Sequence, residues 1–117
     1  MMRMSLAVSE ITCEDLEKMM VDGRVPIIDV RRPGELENGK IIGSINIGVD
    51  KVKEAFSLDP ESFQKEFGAE KPNPQSTVVF YCQLGRRGAS ATSIAQELGY
   101  TRALNLKGGF QQWTGED

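Results

Sequence analysis

Of the two cysteines in this chain, Cys82 has the neighbours that nucleophilic chemistry needs. It closes the apolar run Thr77-Val78-Val79-Phe80-Tyr81 and opens the segment Gln83-Leu84-Gly85-Arg86-Arg87-Gly88. The reactive form of cysteine is the thiolate, which is favoured at a helix N-terminus and beside cationic side chains. Arg86 and Arg87 fall just ahead of a predicted helix start, where the peptide dipoles already present positive charge and cations are disfavoured. An anion would resolve that conflict: a thiolate and an incoming oxyanion neutralise both the arginines and the free N–H groups. Gly85 and Gly88 fit the same picture, because residues that tolerate positive φ let successive N–H groups turn inward as an anion-binding nest. Arg87 is the stronger candidate of the two arginines, since Arg86 reads equally well as a solvated surface charge. Cys13, with no basic neighbour, is expected to be inert.

The chain has no histidine. That excludes Ser-His-Asp and Cys-His pairs, histidine general bases and His-dependent zinc sites. Two cysteines at 13 and 82 form neither a metal pattern nor a disulfide framework. An enzyme built here must activate its nucleophile without imidazole, and for Cys82 backbone dipoles and arginine are the main candidates.

The elements around the loop follow from residue pattern. Thr12-x-x-Asp15 has the spacing of an N-terminal cap and Leu16, Met19 and Met20 continue it, so a helix is predicted over about 12–21. Val25-Pro26-Ile27-Ile28-Asp29-Val30 reads as a strand buried on both faces, with Asp29 and Arg31 at its carboxyl end. A brief helix over 33–38 and a short strand over 44–47 follow, then a turn or two of helix near Val52, Ala55 and Phe56. Asp59-Pro60 reads as cap and first-turn proline of a helix carrying Phe63 and Phe67. A proline-punctuated connector over 70–75 precedes the central strand over 77–81. Ala91, Ile94, Ala95 and Leu98 then trace one helix face up to Gly99, before a strand over 103–106 and a short helix over 110–113. Alternating strands and helices predict an α/β layered domain with a mostly parallel sheet, and ligands in such sheets bind beyond the carboxyl ends of the strands. Cys82 lies at that end of the most apolar strand.

These residues resemble the rhodanese domains, whose active-site loop commonly reads Cys-x-x-Gly-x-Arg, as Cys82-Gln83-Leu84-Gly85-Arg86-Arg87 does. Two more signatures agree: Asp29-Val30-Arg31 leading through Glu35 and Gly39 to Ile42-Gly43-Ser44-Ile45-Asn46-Ile47, and the terminal Leu106-Lys107-Gly108-Gly109-Phe110-Gln111-Gln112-Trp113. The family often carries histidine where this chain has Lys40, a position away from the loop. Within the family, Tyr81-Cys82-Gln83-Leu84-Gly85-Arg86-Arg87-Gly88 is most similar to the small cytosolic thiosulfate:glutathione sulfurtransferases. The resemblance, spanning about 12–114, implies a single three-layer domain over 1–117 with a central five-stranded sheet and helices on both faces. It also implies thiosulfate as sulfur donor, a Cys82 persulfide, and glutathione or a thioredoxin-like protein thiol as acceptor. On the same basis the N–H groups from Gln83 to Gly88 hold the sulfur, and Arg87, with Arg86, binds the sulfonate. Leu84 lies within that binding loop, and Asp29 and Arg31 form a buried scaffold pair near the site. Lys107 is an open case, facing the site or solvent. No metal and no organic cofactor is implied.

Two other readings compete. Cys-x5-Arg phosphatases and arsenate reductases use a similar loop, but five intervening residues after Cys82 reach Gly88, whereas four reach Arg87. The shorter loop makes a smaller anion pocket, suited to a sulfur atom. A non-catalytic module that binds a protein partner is the other, since fold does not fix function, although such modules often lack the cysteine. The whole chain bounds the rest: 117 residues suit one core, a net charge of −3 without a basic face disfavours nucleic acid, and no run approaches a membrane span. The start, Met1-Met2-Arg3-Met4-Ser5-Leu6-Ala7-Val8, lacks the apolar stretch of a signal peptide, which with the rest predicts a cytoplasmic monomer.

Overall fold

The computed structural model describes residues 9–115; the opening segment read for a signal peptide lies outside them. Five strands form one sheet in the order β1-β5-β4-β2-β3, with β1 at Glu10–Ile11, β2 at Ile27–Asp29, β3 at Ile45–Asn46, β4 at Val78–Tyr81 and β5 at Ala103–Leu106. Every pair of neighbours is parallel, so the sheet is fully parallel where a mostly parallel one was predicted. The helices are α1 (Cys13–Asp22), α2 (Val52–Ala55), α3 (Pro60–Phe67), α4 (Arg86–Glu97) and α5 (Gly109–Thr114), with 3-10 turns at Pro33–Asn38 and Val49–Lys51.

Residue pattern alone marks four of these strands. The fifth, β1, pairs Glu10 with Asn105 and Ile11 with Leu106. It completes the five strands that the family resemblance implies.

Alternation along β4 sorts its side chains into two cores. Val78, Phe80 and Cys82 enter one, with Phe56 from the end of α2, Phe63 from α3, Ala91 and Ala95 from α4 and Tyr100 from the segment after it. Val79 and Tyr81 enter the other, with Leu16 from α1 and Phe110 from α5. Helices therefore cover both faces, giving the three-layer arrangement. Phe56 anchors the first core, its ring 5.1 Å from Tyr100, 5.6 Å from Phe80 and 5.9 Å from Phe63. A fully buried aromatic of this kind contributes about 2 kcal/mol through apolar burial.

Local signals set the helix ends. Thr12 accepts a hydrogen bond from the Asp15 N–H at 3.1 Å and Asp59 accepts one from the Ser62 N–H at 3.3 Å, so both side chains cap as their spacing predicts. Gly68 closes α3 at φ +71, in the left-handed region.

Candidate active site

The centre of the sheet delivers Cys82 to the carboxyl ends of the strands, immediately after β4 and four residues before α4 begins. There its sulfur meets the helix N-terminus. The Gly85 N–H donates to Cys82 Sγ at 3.1 Å and the Gly88 N–H at 3.2 Å. Gly85 is the N-cap of α4 and has no side chain with which to cap it, and the first turn of the helix carries no acidic residue. Cys82 Sγ occupies the place of the missing acceptor, so folding the helix aims orphan N–H groups at one sulfur. Negative charge on that sulfur is favoured both by these donors and by the helix dipole.

Of the N–H groups from Gln83 to Gly88, those of Gly85 and Gly88 reach the sulfur. The two glycines serve differently from the nest that positive φ at both positions would make. Gly85 does lie at φ +127, but Gly88 is inside the first turn of α4 and has no positive φ. What Gly88 supplies is space: a Cβ there would collide with Asn105 Oδ1 and sit 3.4 Å from Tyr81 Cα. The arginines also stand inside the helix and not ahead of it, since α4 starts at Arg86 and they are its first two residues.

Arg87 is half-buried and held by Glu35 through a two-pronged ion pair, Nη1 to Oε1 at 2.7 Å and Nη2 to Oε2 at 3.0 Å. The guanidinium pulls the Glu35 carboxyl down to about 2, against the cost of its partial burial. In return Arg87 is raised above its ordinary value, chiefly by Glu35, with the Cys82 side chain adding a smaller part. Glu35 also accepts from the Arg32 N–H at 2.9 Å, which fixes the carboxylate from a second side. Arg86 and Leu84 are exposed, Leu84 at 66%, and Lys107 faces solvent. Lys40 is exposed too, its ammonium donating to the Ser44 carbonyl at 3.3 Å.

Under the loop lies a buried polar layer. Asp29 and Arg31 are both fully buried and paired at 2.7 Å. Arg31 also donates to the Gly39 carbonyl at 2.8 Å and to Gln83 Oε1 at 3.3 Å, and its guanidinium stacks 4.5 Å from the Phe110 ring centre. Tyr81 OH donates to Asp29 Oδ2 at 2.7 Å and accepts from the Ile41 N–H at 3.0 Å. Burial pushes the Tyr81 phenol up to about 12. This network ties β2 and β4 to the start of the cysteine loop through Gln83.

The loop is held from the other side by the start of α5. The Phe110 N–H donates to the Cys82 carbonyl at 2.8 Å and the Gln111 N–H to the Gln83 carbonyl at 3.0 Å. Gly109 makes this approach possible, because a Cβ there would lie 2.5 Å from Cys82 O and 2.6 Å from Gln83 O. Three residues thus join the site that the motif's chemistry did not single out: Glu35, Gly109 and Asn105, whose Nδ2 donates to the Gly85 carbonyl at 3.0 Å. A broad groove of about 1170 Å³ lies elsewhere, lined by Val25, Pro26, Thr77 and Tyr100, and contains none of the loop residues.

A cysteine loop closing onto a helix N-terminus above a parallel sheet is the arrangement that the motifs implied. A family model described as a rhodanese-like domain matches residues 12–116, and the chain belongs to that family. The human thiosulfate:glutathione sulfurtransferase is 38% identical over 104 residues, covering 88% of this chain and 90% of the human protein. A putative mitochondrial thiosulfate sulfurtransferase of Schizosaccharomyces pombe is 36% identical over 117 aligned positions, 94% of this chain and 82% of the yeast protein. The solved structure of the human single-domain sulfurtransferase TSTD1 superposes with a TM-score of 0.87 at 36% identity, covering 92% of this chain and 96% of that one.

Proposed function

We propose that this protein is a thiosulfate sulfurtransferase that carries sulfur on Cys82 and delivers it to a small thiol such as glutathione. The observation that carries the reading is the pair of N–H donors from Gly85 and Gly88 converging on Cys82 Sγ at the start of α4. The relatives' substrates support thiosulfate and glutathione as the donor and acceptor.

The Cys82 thiolate attacks the outer sulfur of thiosulfate. The S–S bond of thiosulfate breaks with its electron pair leaving on sulfite, and Cys82 becomes a persulfide. Glutathione thiolate then attacks the outer sulfur of that persulfide, forming glutathione persulfide and returning the Cys82 thiolate. No electrons are gained or lost overall, so the cycle needs no redox cofactor. The donors at Gly85 and Gly88 stabilise negative charge on the sulfur they face, and the partly open Arg87 is the cation available to the departing sulfite. Arg86 and Leu84 are the exposed side chains of the loop, and in this proposal both substrates approach past them. Cys82 itself is 1% exposed, which shields the sulfur from bulk water and its side reactions.

The protein acts in this proposal as a monomer in a reducing compartment, the cytoplasm, where a free thiol persists. Among the described residues no helix is long and apolar enough to cross a membrane. Sulfite release from thiosulfate, measured with glutathione, reduced thioredoxin and cyanide in turn, tests the acceptor. Glutathione should support the fastest turnover of the two physiological thiols, and a clear preference for thioredoxin would replace the small thiol by a protein acceptor.

A further inference from the structure

β5 carries one polar residue, Asn105, between Leu104 and Leu106, and it is 2% exposed. A buried amide is costly unless both of its ends are bonded, at about 1–3 kcal/mol for each polar group left unpaired. Asn105 leaves one unpaired: no donor among the described residues reaches Oδ1. A leucine would fill the same space without that cost, so the asparagine is kept against the local rule.

Its two ends define what it does instead. Nδ2 donates to the Gly85 carbonyl at 3.0 Å, and Gly85 is the residue whose own N–H donates to Cys82 Sγ. The same carbonyl accepts the first helical hydrogen bond of α4, from the Ala89 N–H at 2.9 Å. Oδ1 lies against the face of Gly88 where a side chain would begin, and Gly88 supplies the second N–H to the sulfur. Both sulfur donors are thus touched by one side chain anchored in the neighbouring strand. Backbone pairing fixes that anchor on each side, opposite Phe80 in β4 and Glu10 in β1.

We propose that Asn105 is a positioning residue for the Cys82 sulfur: it sets the peptide of Gly85 and the first turn of α4 so that both N–H groups aim at Sγ and stabilise negative charge on it. The proposal rests on Cys82 being the reacting thiol, but its test does not depend on sulfur transfer.

Three chains are compared, the wild type, Asn105→Leu and Asn105→Ala, by following alkylation of the Cys82-containing peptide with iodoacetamide between pH 5 and 10 by mass spectrometry. Thermal melts accompany each. In Asn105→Leu the lost amide should lower the alkylation rate at pH 6 by about tenfold, the equivalent of one net hydrogen bond to a charged group, while the rate at pH 10 stays at the wild-type value. The same variant should melt no lower than the wild type, since an unpaired oxygen has gone. Asn105→Ala should show the same loss at pH 6 together with a lower melting temperature. Gly88→Ala provides a check on the contact, its stability cost being smaller in the Asn105→Ala background than alone. A wild-type alkylation profile in both Asn105 variants would overturn the proposal, as would a loss of rate that is equal at every pH, which marks poorer access to the buried sulfur, or a rate raised at every pH, which marks unfolding that exposes it. Failure of the wild type to take sulfur from thiosulfate would instead remove the proposed function and leave this profile to be read on its own.

Discussion

Gly109→Ala separates the cysteine loop's backbone support from ordinary glycine effects. Gly109 lies at φ +62, and a Cβ there meets Cys82 O at 2.5 Å, Gln83 O at 2.6 Å and Gln83 C at 2.7 Å. A left-handed conformation costs an L-residue about 1–2 kcal/mol. Forcing a methyl into close-packed backbone adds about 1–3 kcal/mol, for a total of roughly 2–5 kcal/mol. Gly68 is the control, because it has nearly the same backbone angle, φ +71, with nothing within 4 Å of its Cβ position. Gly68→Ala should therefore lose only the conformational part, about 1–2 kcal/mol. At about 4 °C per kcal/mol for a domain of this size, the melting temperature should fall by roughly 8–20 °C for Gly109→Ala and about 4–8 °C for Gly68→Ala. The strain at Gly109 is relieved by moving the carbonyls that bind the Phe110 and Gln111 N–H groups, which displaces the loop. A misplacement of about 1 Å costs on the order of 100-fold in rate, so sulfite release from thiosulfate and glutathione should fall by that factor in Gly109→Ala and stay within about twofold in Gly68→Ala. Equal melting temperatures for the two variants, or full activity in a folded Gly109→Ala, would refute the argument.

Glu35→Gln should expose the pH dependence of the Arg87 ion pair. The folded carboxyl is held at about 2 against an ordinary 4.5, so its contribution is fully present above pH 4.5 and is lost as pH falls toward 2. The shift alone corresponds to about 3 kcal/mol, and because the two side chains are 31% and 35% exposed, solvent screening brings the expected value to about 1 kcal/mol. Melts of wild type and variant should differ by about 4 °C at pH 7 and converge near pH 2; a gap independent of pH would show that Glu35 acts only through packing. Tyr81→Phe removes the hydroxyl that bridges Asp29 and the Ile41 N–H. The loss should be about 2–3 kcal/mol in urea unfolding, and a change below 0.5 kcal/mol would mean that water replaces the hydroxyl.

How much of this was legible in the sequence depended on how far apart the cooperating residues lie. Val78 to Tyr81 announced a central strand because burial on both faces leaves no solvated position to alternate with, and the cysteine loop was readable because sulfur, glycines and arginines fall within seven residues. β1 left no trace: it is two residues long, one exposed and one buried, and it exists only because β5 offers it an edge. Glu35 is 52 positions from Arg87, and no local pattern tells a surface acid from one that clamps an arginine. Asn105 was visible as a polar residue in an apolar run, but a strand with one solvated face looks the same. The need for glycine at 109 arises from the backbone of residues 82 and 83, and becomes evident only when α5 is seen against the loop.

The central claim is that Cys82 becomes a sulfur carrier. Intact mass spectrometry of the reduced protein after a brief exposure to thiosulfate should show a species heavier by one sulfur atom, mapped to the Cys82 peptide, absent in Cys82→Ser and discharged by glutathione. An unmodified mass after exposure, with Cys82 verified as a free thiol beforehand, would contradict it.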